Sequence, residues 1–338
     1  MFGVLPVDKP SGWTSRDVVN RVQRYVRPHK VGHTGTLDPL ATGVLLVAVG
    51  PATRLVEFSH LSPKSYAGSF QLGRRSDTLD IEGELEDVPV PDGVNERSLA
   101  LALPRFIGEV EQVPPKYSAV SVGGQRAYDL ARKGKDFEIP SRKVQIDSIH
   151  LARCELPDFK LDIVCGTGTY IRTLGSDLAK AVGTDAVMTS LIRSSIGSVT
   201  LELCSQLDDF QSGEDVAERL LPPSILLESL PSVQLDQQAA AKIRNGIPLK
   251  QSELMKRGSV EYAPSNAPVQ GAQNAAASPL AAFDQAGFLV AILCDTSTNH
   301  SRSGRVYRSL RVFQPEASQS APAANHPQNT SNPQSPES

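Results

Sequence analysis

Asp38 is the side chain whose setting most invites a chemical explanation. It lies in Gly32-His33-Thr34-Gly35-Thr36-Leu37-Asp38-Pro39-Leu40-Ala41-Thr42-Gly43, which runs into the apolar Val44-Leu45-Leu46-Val47. Glycines let such a loop turn tightly, and Pro39 stiffens it and biases Asp38 away from helical geometry. A carboxylate held this way either bonds its own backbone in a turn or is presented to a ligand; Asp-Pro alone favours the turn. Tyr66 lies in the alternating segment 64–72, where a lone tyrosine is ordinarily a core residue with a hydrogen-bonded hydroxyl. In Gly166-Thr167-Gly168-Thr169-Tyr170-Ile171-Arg172 the glycines permit close backbone approach to a ligand. Arg172 falls in a first helical turn, where a cation opposes the helix dipole and calls for an anionic partner. No complete phosphate-binding glycine motif is present, so this segment is weak evidence on its own.

Three further groups are ambiguous on local evidence. Lys9-Pro10-Ser11-Gly12-Trp13-Thr14-Ser15 is a rigid turn opening a helix. Leu191-Ile192-Arg193 reads as strand with one solvated arginine. His33 fits either a general base or a structural hydrogen bond, and the lack of a Ser or Cys partner argues against a hydrolytic triad. Asp77 and Asp80, followed by Gly83, fit a hairpin turn better than a cation site. Lys116, Arg126, Arg132, Lys133, Lys135, Arg142 and Lys143 fall within 28 positions against Asp129, Asp136 and Glu138, a local excess of four positive charges. With Tyr117 and Tyr128 in the same stretch, it suits either a solvated loop or an arm that tracks phosphates and stacks on bases.

The elements that must hold these residues can be read from periodicity. Residues 14–26 form a helix capped by Thr14 or Ser15, with Val18, Val22 and Val26 on one face. Residues 44–49 and 64–72 are strands, 97–107 a helix, and 128–133 a short helix closed by Gly134. Residues 144–155 and 160–164 are long antiparallel strands. Residues 170–182 are an amphipathic helix ended by Gly183, with Leu174 and Leu178 inward. The absence of a regular βαβ period predicts an α+β fold on a largely antiparallel sheet and argues against a nucleotide-cofactor methyltransferase. Leu220-Leu221-Pro222-Pro223 reads as a linker to a smaller unit with a helix at 236–245 and strands within 282–293 and 306–313. Residues 264–279 read as a mobile insertion, and the tail from Gln314 as disordered.

With 338 residues, 40% hydrophobic and 21% charged, the chain has the make-up of a globular protein large enough for two cores. A net charge of −3 argues against a generic polyanion binder but not against a local basic surface. The N-terminus lacks signal-peptide features and no apolar run approaches the ~20 residues of a membrane span, so a cytoplasmic protein is expected. Cys154, Cys165, Cys204 and Cys294 are scattered, which predicts reduced thiols rather than zinc ligands or disulfides.

Taken together, six of these segments in this order resemble the bacterial tRNA pseudouridine synthase B family. They are Lys9-Pro10-Ser11-Gly12, the loop from Gly35 to Gly43, Lys64-Ser65-Tyr66, Pro114-Pro115-Lys116-Tyr117-Ser118-Ala119, Gly168-Thr169-Tyr170-Ile171-Arg172-Thr173 and Leu191-Ile192-Arg193. The resemblance is dense over residues 3–200, weaker to about 315 and absent in the tail. It implies a catalytic domain over residues 1–210 with an RNA-gripping insertion at about 114–143. A small β-rich unit similar to a PUA domain would follow over 222–313, interrupted at 264–279, and then a disordered tail over 314–338. The implied activity is isomerisation of a uridine in the tRNA T-arm, by a monomer, without cofactor, metal or membrane. By the same resemblance Asp38 is the catalytic carboxylate, kept ionised by Arg172, and Tyr66 stacks on the flipped base and takes its C5 proton. Tyr170 and Leu191 wall the pocket, and His33 touches RNA beside the flipped nucleotide. Lys9, Arg193, Lys116, Arg126, Arg132, Lys133, Lys135 and Arg142 bind substrate. The competing reading is a non-catalytic tRNA-binding or tRNA-folding protein on the same scaffold.

Overall fold

A computed structural model describes residues 1–254, 279–296 and 305–314. The expected insertion at 264–279 and the tail beyond Gln314 fall almost wholly outside the described residues. A nine-stranded sheet organises the first two hundred residues. Its order is Gly3–Lys9, Thr42–Val49, Ala186–Ile196, Lys64–Leu72, Asp158–Cys165, Arg142–Glu155 and Gly108–Gln112, with Val31–His33 and Val199–Thr200 attached at the side. Every pairing is antiparallel except one short parallel contact, in which Ile192 and Arg193 lie opposite Thr42 and Gly43. That contact brings the end of the Asp38 loop against Arg193.

Helices cover the sheet where the apolar periodicity requires it. Ser15–Val26 begins with a capping box between Thr14 and Asp17 and buries Val18, Val22 and Val26 against Leu5, Leu45 and Val47. Ile171–Ala181 sinks Leu174 and Leu178 into the core around Phe70, Phe159 and Ile163. Phe70 and Phe159 stack with ring centroids 5.1 Å apart. A Cβ on Gly175 would lie 2.1 Å from Phe70 Cε1, so only glycine lets this helix sit so close to the sheet. The segment expected as one helix over 97–107 is instead an α-helix, Glu96–Ala102, followed by a 3-10 turn, Leu103–Phe106. Pro104 lacks the N–H that would continue the α-helical ladder.

A five-stranded sheet, in the order Ser232–Gln234, Leu280–Phe283, Leu289–Asp295, Val306–Val312 and Leu249–Lys250, forms the small C-terminal unit. The helix Gln237–Arg244 packs on it through Ala240 and Ile243. The supposed linker is not a free connection. Leu221 exchanges backbone hydrogen bonds of 3.0 and 2.8 Å with Val4, and Leu226 and Leu227 join a core containing Phe2, Leu46, Ile292 and Phe313. Pro222 precedes and Pro223 opens a 3-10 turn, Pro223–Leu227, while the leucines beside them are drawn into apolar contact.

Candidate active site

The site is built from the Asp38 loop upward. Its underside is fixed by the turn between the first strand and the first helix. The buried Lys9 ammonium donates to the carbonyls of Pro10 (2.9 Å), Trp13 (2.6 Å) and Pro39 (3.2 Å). Gly12 N–H also donates to Pro39 O at 2.8 Å, and Leu37 N–H to Ser15 Oγ at 2.8 Å. Burial lowers the Lys9 pKa to about 8, partly opposed by Asp38. The far side of the loop is fixed by Arg193, 2% exposed, whose Nε donates to Val44 O (2.7 Å) and Nη2 to Gly35 O (3.1 Å). Lys9 and Arg193 were expected to bind substrate; the structure gives Lys9 three carbonyl partners and Arg193 two, and both brace the loop.

Arg172 then meets the loop from the helix Ile171–Ala181. Its Nε is 2.9 Å from Asp38 Oδ2, and its Nη2 donates to Asp38 Oδ1 at 3.0 Å. Its Nη1 lies 3.2 Å from Asp80 Oδ2 and donates to Thr78 O at 2.6 Å. Nη2 also donates to Tyr117 O at 3.1 Å, tying the start of the 114–143 insertion to the site. Arg172 is 5% exposed and the Asp80 side chain 3%, whereas the Asp38 side chain is 31% exposed. One guanidinium therefore spans two carboxylates, one sealed and one facing the cleft. Burial raises the Asp38 pKa, and Asp80 adds repulsion while Arg172 opposes both. The expected pairing is present, but it offsets the cost of burial without overcoming it.

The cleft above Asp38 has a volume of about 340 Å³, within the ~300–1,000 Å³ typical of ligand sites. Asp38, Tyr66, Tyr170, Leu191 and Arg193 line it together with Ser118. Tyr66 is cross-strand from Arg193 and half-buried; burial raises its phenol pKa, and Arg193 opposes this. Leu191, 5% exposed, lies opposite Gly68 and supplies an apolar wall. Tyr170 caps the Arg172 helix, and the Gln112 side-chain amide holds its backbone, accepting from Tyr170 N–H at 2.9 Å and donating to its carbonyl at 3.2 Å. The Arg142 guanidinium lies 4.7 Å from the Tyr170 ring centroid and donates to Gly168 O. Ser118 Oγ and Arg142 Nε are buried at this cleft without protein partners.

The remaining expected residues lie further out. His33 does not line the cleft; it is half-buried beside Arg16 and Arg193, with Nδ1 unpartnered, and burial lowers its pKa. Lys116, Arg126, Arg132, Lys133 and Lys135 are exposed on the insertion. There a Gly123-Gly124 turn joins two short strands to the helix Ala127–Arg132. Arg126 donates to Ala119 O at 2.6 Å, and Arg132 lies 5.7 Å from the Tyr128 ring centroid.

Sequence reasoning missed Asp80, which it left in a turn, and Gln112. The only available signal was the first-turn Arg172, whose need for an anion was already evident. It also missed the clamp made by Lys64, buried at the cleft edge, which donates to Ser62 O (2.6 Å) and to Thr167 Oγ1. No group of metal-ligating side chains occurs among the described residues, and no described helix is long and apolar enough to cross a membrane.

Comparison with known proteins assigns this architecture. Residues 23–171 match the family model described as TruB family pseudouridylate synthase (N terminal domain). The chain is 44% identical over 263 residues to the tRNA pseudouridine synthase B of Rhodopirellula baltica, covering 73% of this chain and 75% of that protein. It is 42% identical over 221 residues to the tRNA pseudouridine synthase B of Phocaeicola vulgatus, covering 64% and 94%. A chain of a Cbf5-Nop10-Gar1 complex superposes with a TM-score of 0.67 at 25% identity, over 93% of this chain and 85% of that one. A chain of an H/ACA RNP bound to a substrate RNA shares the fold at a TM-score of 0.66 and 23% identity. Six motifs in order, one guanidinium between two carboxylates, and relatives matched over most of their length lead to the same conclusion: the chain belongs to the TruB family of pseudouridylate synthases.

Proposed function

We propose that this protein isomerises a uridine of tRNA to pseudouridine, and that the uridine lies in the T-arm. The observation that carries the reading is the Asp38 carboxylate, gripped by Arg172 at 2.9 and 3.0 Å yet facing a cleft walled by Tyr66, Tyr170 and Leu191. The reaction breaks the N1–C1′ bond, turns the base and joins C5 to C1′; the C5 proton leaves and N1 gains one. Composition is unchanged, so the chemistry requires a positioned carboxylate, a surface for the detached base and a proton acceptor.

Asp38 supplies the carboxylate that opens the glycosidic bond. A uridine inside a folded arm must first be flipped out, at a cost of a few kcal/mol. Stacking on Tyr66 offsets ~1–3 kcal/mol of that cost. The Tyr66 phenol is the group at hand to take the C5 proton. Ser118 Oγ and Arg142 Nε offer hydrogen bonds to the polar edges of the nucleotide. The basic insertion grips the flanking phosphates, with Lys116, Lys133 and Lys135 exposed for the purpose. His33 meets RNA beside the cleft, and the whole process takes place in the cytoplasm.

The test is incubation of the purified chain with unmodified tRNA and with an isolated T-arm stem-loop, followed by nucleoside analysis. Pseudouridine is expected from both RNAs with the wild-type chain and from neither with Asp38→Asn, which should still bind tRNA. Full turnover by Asp38→Asn would overturn the catalytic assignment. Binding without product by the wild type would favour a tRNA-folding protein.

A further inference from the structure

The helix Ser15–Val26 carries a second feature that the catalytic cleft does not use. Along its outer face runs an open cleft of about 320 Å³, lined by Gly12, Trp13, Asp17, Asn20, Arg21 and Arg24. Trp13, Asp17, Asn20, Arg21 and Arg24 recur at helical spacing, so they form one stripe opposite the buried valines. Trp13 is the chain's only tryptophan and is 38% exposed, although it is the side chain with most to gain from burial.

The charge of this face points to its occupant. Arg16, Arg21, Arg24, Arg27 and Lys30 follow within one helix and its exit, against Asp17 alone, in a chain of net charge −3. None of the five forms an ion pair among the described residues; Arg21 instead lies 5.5 Å from the Tyr25 ring centroid. Asp17 lines the cleft, but its carboxylate accepts from Thr14 N–H at 3.0 Å and from Thr14 Oγ1 at 2.5 Å, so the helix cap engages it. Asn20 is exposed between the indole and the guanidinium groups and can both donate to and accept from a base edge.

An acidic peptide would need only the cations. An aromatic shelf, an amide and unpaired guanidinium groups together match a nucleotide of single-stranded or looped RNA. We propose that this cleft is a second RNA subsite, in which an unpaired base of the substrate stacks on Trp13 while Arg21 and Arg24 hold its phosphates. The inference rests on the tRNA reading above and adds a contact outside the flipped uridine. Position supports it: Lys9 bonds the carbonyls of both Trp13 and Pro39, so the end of this cleft and the Asp38 loop share one support.

The single tryptophan makes the site directly readable. Unmodified tRNA is titrated into the full-length Asp38→Asn chain, with Trp13 emission, its quenching by acrylamide, and filter retention of tRNA recorded together. Binding is expected to change the emission and to shield the indole from acrylamide. Trp13→Ala should weaken retention about tenfold, in line with the loss of one stacked base. Arg21→Gln/Arg24→Gln, both changes on the solvent side of the helix, should lower the slope of log affinity against log salt by about 1.4–1.8. Retention of tRNA with an unshielded Trp13 and an unchanged salt slope in the double variant would overturn the subsite while leaving the catalytic reading intact. Failure of every variant and of the wild type to retain tRNA would overturn both.

Discussion

The role proposed for Asp38 combines two demands that ordinarily conflict, since it would have to carry charge to react and be shielded to hold a nucleoside. Arg172 reconciles them only in part, for burial and Asp80 still leave the Asp38 pKa raised. In the proposed mechanism ionised Asp38 is the active form, so turnover should fall with acidification at a higher pH than for an ordinary carboxylate near ~3.9. A pH profile of product formation at saturating tRNA checks this. Because the folded-state value is above the unfolded one, the Asp38 charge weakens the fold at neutral pH, and that cost vanishes as the group protonates. Asp38→Asn should therefore melt at the wild-type temperature or above it while making no pseudouridine. Asp80→Asn removes the repulsion and should move the acid limb of the profile to lower pH. It also takes one buried partner from Arg172, and should cost about 3 kcal/mol in denaturant unfolding.

The elements around the site explain why single atoms matter at a distance from the chemistry. The Asp38 loop is held from below by Lys9 and Ser15 and from the side by Arg193, so it acts as a rigid mount. Gly43 closes that mount with φ +103°, and a Cβ there would lie 2.3 Å from Arg193 O. Gly43→Ala should cost at least about 2 kcal/mol and reduce kcat more than affinity, which stopped-flow binding and turnover measurements separate. Gly175 governs the other half of the ion pair. Adding a methyl group against Phe70 lifts the helix that carries Arg172, so Gly175→Ala should depress kcat while leaving tRNA retention near wild type.

In the whole molecule, the catalytic sheet and the C-terminal unit share a core. Phe313 stacks on Phe2 with centroids 5.4 Å apart, and Arg54 lies over the same ring at 5.0 Å while donating to Val312 O. Phe313→Ala should lower global stability by about 3–5 kcal/mol in a single cooperative transition. Separate transitions for the two units would show that they are not energetically joined. The basic insertion is tied to the Asp38 site by the Arg172 bond to Tyr117 O, so the RNA grip proposed for it lies beside Asp38. Replacing Lys133 and Lys135 with glutamine should flatten the salt dependence of tRNA binding by about 1.4–1.8 in slope without altering the pH profile.

Local chemistry was legible in the chain wherever backbone conformation or periodicity dictated it. The strand Lys64–Leu72, the capped helix at Ser15–Val26 and the glycine-closed helices follow from side-chain spacing, while the reach of Asp38, Tyr66 and Arg172 toward one site was implied only by the resemblance that the motif order carried. Long-range packing settled the rest. Arg193, readable only as a solvated strand residue or a substrate contact, became a buried brace because one parallel pairing sets it against Gly43. Asp80 became the second anion on Arg172, and the Leu220–Pro223 segment a stitched part of the core, through contacts 92 and 217 residues apart along the chain. No periodicity encodes such encounters. They arise when a buried charge or an apolar side chain takes the nearest group able to satisfy it, and only the folded chain decides which group that is.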